Sequence, residues 1–250
     1  MTRFGLRGLT LMVAIAALLG SGTPAEAQDG RVFIEVNGGA QATSTEFADN
    51  VVFTEFVEQG DFDAAYAVDK AAFFDVGGGF VLSRNAALAV VYTRFTKDSD
   101  ATVDARIPHP FFFNRDRAIA GSATDLNRAE HGLHVQLRWL APVPAPFEVA
   151  VFGGPTFFNV RQDLVTTVGF SQTYPFDVAS FTTASTERQS DWAAGYNVGA
   201  DVAYFLSPHV GIGGLARFTS GTLSLTSEDG GRISTDAGGF HLGGGLRLRF

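Results

Sequence analysis

From Gly132 to Trp139 the chain alternates strictly: Leu133, Val135, Leu137 and Trp139 fall on one side of an extended backbone, and Gly132, His134, Gln136 and Arg138 on the other. The same period of two closes the sequence, where Phe240, Leu242, Leu246, Leu248 and Phe250 oppose His241, Arg247 and Arg249. It recurs in between. Val32, Ile34 and Val36 oppose Phe33, Glu35 and Asn37, and Phe74, Val76, Phe80 and Leu82 oppose Asp75, Gly77 and Gly79. Trp192, Tyr196, Val198, Val202, Tyr204 and Leu206 oppose Asp191, Gly195, Asn197, Gly199 and Asp201. Three further segments complete a set of eight strands: Ala86 to Thr96, apolar on both faces so that its orientation stays open, Phe147 to Asn159, and Val210 to Leu225.

The connections are ordered as well. Ser44 to Asp69, Lys97 to Arg128 and the stretch up to Gln189 are long, whereas Ser83-Arg84-Asn85, Ala141 to Pro146 and Ser207-Pro208-His209 are short; Ser227 to Gly231 is intermediate. With strands running up and down, every short turn then falls on the side of the two termini and every longer loop on the other. That asymmetry belongs to barrels inserted in an outer membrane. In hydrocarbon an unpaired N–H or C=O costs several kcal/mol, so a membrane-spanning β-chain must close on itself. The expected fold is therefore all-β: an eight-stranded antiparallel up-and-down transmembrane β-barrel. A soluble barrel with an apolar interior would alternate in the same way; the terminal Phe250 and the one-sided loops favour lipid outside.

Composition narrows this further. Met1 to Ala27 reads as a secretory leader, with Arg3 and Arg7, an apolar run from Leu9 to Leu19, and Ala25-Glu26-Ala27 as a small-x-small cleavage site, which leaves residues 28–250 as the barrel domain. The run is shorter than the roughly 18 apolar residues of a helical span. There is no cysteine, so the exported fold holds without disulfides. Without the leader the formal charge is one unit more negative than the −8 of the whole chain, and lysine is confined to Lys70 and Lys97, which speaks against a nucleic-acid partner.

In an eight-stranded barrel the interior is just wide enough for side chains to fill it. The inward set contains Glu35, Asp75, His134, Arg138, Glu148, Asp191, Asp201, Arg217, His241 and Arg247, and these acids and bases are expected to pair into a buried polar network. Trp139, Phe147, Tyr204, Leu206 and Phe250 cluster near the short-turn end as a lower aromatic girdle.

On these residues the chain resembles the small outer-membrane β-barrel family of Gram-negative bacteria, which includes the transmembrane domain of OmpA, the opacity proteins and the OmpW-like proteins. The resemblance implies that Leu242, Leu246, Leu248 and Phe250 form the C-terminal signal read by the barrel-assembly machinery; Gly244 departs from the apolar pattern. It also implies contact with outer-membrane lipids and lipopolysaccharide, a monomer, and residence in the cell outer membrane.

Specific chemistry is sparse. Gly211 to Ala216 matches the dinucleotide fingerprint formally, but a strand pattern and not a helix follows it. His131 and His134 are three apart, which sends them to opposite faces of a strand, away from a shared metal. His241 points inward and His109 lies in a loop without an obvious serine partner, which removes the usual ingredients of a membrane-facing hydrolase. No cofactor is expected. Glu46, Asp49, Glu55, Glu58, Asp61 and Asp63 make the first long connection acidic, read as a solvated surface. The oddest segment is Ile107-Pro108-His109-Pro110-Phe111-Phe112-Phe113, three adjacent phenylalanines in a loop. They either cap the mouth, join an upper girdle, or form an apolar contact site that Phe170, Tyr174, Phe176 and Phe181 are candidates to complete. The expected role is non-enzymatic, structural or surface-interacting; passive passage of small hydrophobic solutes is the alternative, and lipid modification a distant one.

Overall fold

A computed structural model describes residues 32–250; the leader read at Met1 to Ala27 lies outside the described residues. These residues form ten antiparallel strands: β1 (Val32–Gln41), β2 (Thr45–Glu55), β3 (Glu58–Val68), β4 (Ala71–Ser83), β5 (Ala86–Ile107), β6 (Arg117–Leu140), β7 (Phe147–Gln172), β8 (Ala179–Phe205), β9 (Val210–Thr226) and β10 (Arg232–Arg249). Eight of them close a ring in the order β1-β4-β5-β6-β7-β8-β9-β10, sealed by β1 on β10 from Phe33 opposite Arg249 to Gln41 opposite His241. The up-and-down barrel is thus present, with all three short turns at the end that holds Val32 and Phe250.

The long connections are not loops. Ser44 to Asp69 contains the β2–β3 hairpin, so the fold has two strands more than expected. Lys97 to Arg128 continues the flanking strands, which meet at a turn between Ile107 and Arg117, and the third connection is the upper part of β7 and β8. The four strands β5 to β8 are 22, 24, 26 and 27 residues long, at least twice the roughly 9 to 11 needed to cross a membrane.

What changes along them is polarity. On lower β5, Leu88, Val90 and Tyr92 face out while Ala87, Ala89, Val91 and Thr93 face in, which settles the orientation of this strand. Beyond Arg94 the assignment reverses: Thr96, Asp98, Asp100, Thr102, Asp104 and Arg106 face out, and Ala101, Val103, Ala105 and Ile107 are buried. Where β4 ends, β3 takes its place along β5, from Asp61 opposite Arg106 to Ala67 opposite Asp100. It brings Phe62, Ala64 and Tyr66 into the same apolar interior, joined by Leu126, Val160, Leu164, Leu223, Leu225 and Ile233 from other strands. The lower part therefore has an apolar exterior and a polar lumen, and the upper part a polar exterior and an oil-like core.

The exterior band has membrane dimensions. On β10 it runs from Phe240 to Phe250, and about ten residue steps of about 3.4 Å tilted by about 45° span about 24 Å. Its lower rim carries Trp139, Phe147, Tyr204, Leu206 and Phe250, all exposed; Phe147 and Tyr204 meet edge to face at 5.3 Å. Its upper rim carries Phe74, Phe157, Trp192, Phe218 and Phe240, with Tyr92 hydrogen-bonded to His131 at 2.6 Å. We call the part above this rim the stalk.

Candidate functional site: a sealed lumen and an apolar crown

Eight of the ten predicted lumen residues sit together within the lower barrel. Glu35 on β1 accepts two N–H groups of Arg138 on β6, one of them at 2.8 Å, and Gln136 Oε1 holds the same guanidinium at 2.7 and 3.1 Å. Arg247 on β10 grips Asp201 on β8 through two bonds, one at 3.1 Å, and donates to Asn37 Oδ1 at 2.6 Å. Asn37 donates to Asp75 at 2.7 Å, and the other oxygen of Asp75 lies 3.2 Å from Arg217 on β9. Arg217 donates to Thr93, which with Thr156 brackets His134 at 3.0 and 2.8 Å. β1 and β6 are three places apart in the ring, as are β4 and β9, so the ion pairs reach across the lumen instead of lining it. Gly213 makes room: a Cβ there would stand 3.0 Å from Arg247 Nε.

A second layer above was missed because Arg128 falls in a stretch read as loop. His241 bonds Gln41 at 2.9 Å, Gln41 donates to Gly238 O, and Gly238 N–H donates to Glu130 at 2.9 Å. Glu130 accepts from Arg128 Nε at 2.7 Å, and Arg128 also donates to Asp236 O. Gly238 has φ of +88°, which turns its N–H inward, and a side chain there would collide with Thr219.

The two remaining candidates lie at the ends. Glu148 is at the short-turn rim, 3.6 Å from Arg249, with both side chains a third or more exposed. Asp191 lines a cleft in the stalk with Gln189, Ser190, Ser224 and Arg232, where β8 and β9 diverge above Gly195 and Gly221. Leu242, Leu246 and Phe250 form an outward row on β10, with Leu248 half-buried in the same row. His131 faces out and His134 in, as their spacing requires. The acids of the first connection are largely engaged: Asp61 pairs with Arg106, Asp63 accepts from Asn50, and Asp49 is buried against Ser227.

The phenylalanine triplet is at the far end of the stalk. Ile107 is 13 residues beyond Arg94, a rise of about 30 Å at about 3.3 Å per residue and about 45° of tilt. The triplet therefore belongs neither to the upper girdle nor to the mouth of the lumen. Phe111, Phe112 and Phe113 are 67, 54 and 72% exposed. Their turn is built on His109, which is buried and accepts the N–H groups of Phe111 and Phe112 on Nδ1 at 3.1 and 3.3 Å. Buried Arg117 ties this turn to the β7–β8 turn by donating to Pro108 O, Phe176 O and Gln172 Oε1. Asn114 N–H reaches Glu58 of the β2–β3 hairpin at 2.6 Å. Three hairpin ends thus converge, and they present Val57, Phe111, Phe112, Phe113, Tyr174 and Val178, all exposed. Of the residues proposed to complete this site, Phe176 packs edge-on to Phe111 at 5.5 Å and to Tyr174 at 6.0 Å, whereas Phe170 and Phe181 pack against the stalk core. Sequence reasoning missed Val57, whose only signal is an apolar pair, Phe56-Val57, inside an acidic run.

No protein-family model and no curated protein sequence matches the chain. Among solved structures it is similar to Neisserial surface protein A, with 12% identity over 88% of this chain and 97% of that one and a TM-score of 0.42. It is also similar to the outer membrane protein OprG from Pseudomonas aeruginosa, with 10% identity over 89% and 97% and a TM-score of 0.43. The outer membrane protease OmpT from Escherichia coli is similar at 9% identity over 91% and 99%, with a TM-score of 0.48. These structural neighbours are outer-membrane β-barrel proteins.

Proposed function

We propose that this protein is a monomeric, non-enzymatic outer-membrane barrel that serves as an anchor, and that its business end is the stalk, held outward for contact at the cell surface. The observation that carries the reading is the reversal of polarity at Arg94 on one unbroken strand: lipid-facing residues below it, water-facing residues above it. A soluble barrel has no use for the lower exterior, with Leu133, Leu137, Trp139, Val202, Ile212 and Leu246 exposed. Ion pairs that reach across the lumen favour an anchor over passive passage of solutes. Four of the five histidines are held in structural bonds, to Tyr92, to Thr93 and Thr156, to Gln41, and to the backbone of the phenylalanine turn, which favours a non-enzymatic role.

Single cysteines introduced at Thr102 and Val90, in a chain that has none, test this directly. On intact cells a membrane-impermeant maleimide should label Thr102→Cys and leave Val90→Cys untouched. Labelling of both positions, or of neither, would defeat the proposal. In planar bilayers the purified protein should give no steady conductance.

A further inference from the structure

We propose that the crown at the end of the stalk docks on the surface of a second phospholipid bilayer, one with zwitterionic headgroups, facing the membrane in which the barrel sits. This deepens the surface-contact reading above and rests on it.

The first argument is strain. A two-residue hairpin turn with φ above zero at both central positions is ordinarily built from Asn-Gly or similar pairs. Here it holds Phe56 at +50° and Val57 at +68°, and a β-branched residue in that region is a steric outlier. Phe176, at +70° in the β7–β8 turn, is a second aromatic held in the left-handed region. Val57 is 89% exposed, so no packing within the protein explains its presence. Strain kept at a position that contributes nothing to folding marks a residue selected for what it meets outside.

Shape and reach select the partner. The six exposed apolar side chains come from three separate turns braced by Arg117, His109 and Glu58, and each is more than half exposed. Apolar tips that stand out from separate braced turns suit a fluid surface that adapts to their spacing. Their own bilayer is out of reach, because the apolar band ends about 30 Å below and the headgroup layer adds only about 5 to 7 Å.

Charge selects the headgroup. Arg115 is paired with Asp177 at 3.1 Å beside Phe112, and Glu55, Glu58 and Asp116 on the same turns outnumber the one further cation, Arg117, so the crown is net negative. The flank of the stalk below it exposes Asp63, Asp98, Asp100 and Asp104. An anionic bilayer would repel that flank on approach, and a zwitterionic one would not.

The test uses the full protein in nanodiscs, mixed with larger phosphatidylcholine vesicles and separated by flotation. Wild type should float with the vesicles, and Phe111→Ser/Phe112→Ser/Phe113→Ser should lose capture by roughly tenfold or more, given the apolar area removed from each side chain. Replacing half of the phosphatidylcholine with phosphatidylglycerol should weaken capture, and added salt should restore it. Each variant is first shown to keep the gel mobility shift on boiling of a closed barrel. Equal capture of wild type and the triple variant, or absence of capture by any vesicle, overturns the proposal. Either result with Thr102→Cys still labelled on intact cells leaves outward display standing; loss of that labelling removes both.

Discussion

The pair Glu35 and Arg138 offers the sharpest test of a dry, paired lumen. Both side chains are nearly inaccessible, and the guanidinium makes two bonds to the carboxylate and two to Gln136. Arg138→Ala would leave Glu35 with Arg247 as its nearest cation, its Nε 3.9 Å away and already committed to Asp201. Glu35→Ala would leave the Arg138 charge with neutral Gln136 and the rings of Phe33 and Phe152, and with no carboxylate in hydrogen-bond contact. Removing one partner of a buried pair costs about 3 to 5 kcal/mol, mostly because the survivor is desolvated without compensation, whereas removing both discards that penalty. The double variant should therefore cost no more than the worse single one, a coupling of at least about 3 kcal/mol in the double-mutant cycle.

The assay is urea unfolding in phospholipid vesicles followed by tryptophan fluorescence. The chain has only Trp139 and Trp192, both on the lipid face, and Trp139 is adjacent to Arg138 on β6. As a control, the exposed pair Asp61 and Arg106 should show far smaller coupling, since solvent screens it. Single variants that unfold at the wild-type midpoint, or costs that simply add, would mean that water fills the lumen and screens the charges. The anchor reading would then lose its support.

Three other perturbations probe the stalk. Burial pushes the Tyr66 phenol up to about 12, so ultraviolet titration should show one late-ionising tyrosine that Tyr66→Phe removes. An unfolded phenol ionises near 10, so this group's contribution to stability should fall between about pH 10 and pH 12, and its absence from the titration would show that Tyr66 is wet. Burial also raises the Asp49 carboxyl above its usual range, against the Ser227 hydroxyl that donates to it. Its ionisation therefore costs folded-state stability once pH passes the unfolded value of about 3.9, and Asp49→Asn should slow proteolysis of the β2–β3 hairpin at neutral pH but not in acid; faster cleavage at neutral pH would contradict the sign. Replacing Phe56-Val57 by Asn-Gly should relieve strain on the order of 1 to 3 kcal/mol per residue and raise the hairpin's resistance to protease; a weaker hairpin would show that the two side chains stabilise it.

Most of the lower barrel was legible because one rule governs it. Apolar residues face out, and Leu133 to Trp139 or Phe240 to Phe250 state that rule without interruption. The stalk escaped because it obeys the opposite rule. Phe62, Ala64, Tyr66 and Val68 alternate with Asp61, Asp63, Ala65 and Ala67 as regularly as any membrane segment, and so do Ala101, Val103, Ala105 and Ile107 with Asp100, Thr102, Asp104 and Arg106. Their polar faces, set between long apolar segments, read as solvated loop. The alternation was the available signal, and a search for period two without a fixed outer polarity would have found it. Arg128 and Glu130 show a different limit. They share the inward parity of His134, Gln136 and Arg138, and the bulge near Asp125, where φ is +61°, lies beyond them; their outward neighbours Asn127, Ala129 and His131 supply no apolar face from which the alternation could be read.

The reversal itself explains why the crown points away from the membrane. A strand cannot exchange its faces without an added residue, so crossing from lipid to water changes which side chains are chosen, not which way they point. β5 passes from Val90 to Thr102 outside and from Thr93 to Val103 inside with the backbone ladder to β6 continuous apart from the shift between Ser99 and Ala101. The barrel and stalk are one sheet for that reason, and tilt set by closure in the bilayer is inherited by every turn at the far end. Loops strung on flexible chain would let Phe111 to Phe113 fold back onto the nearest apolar surface, the membrane below. Held on continuing strands and locked by Arg117 and His109, they cannot, and their exposure is a property of the barrel's geometry.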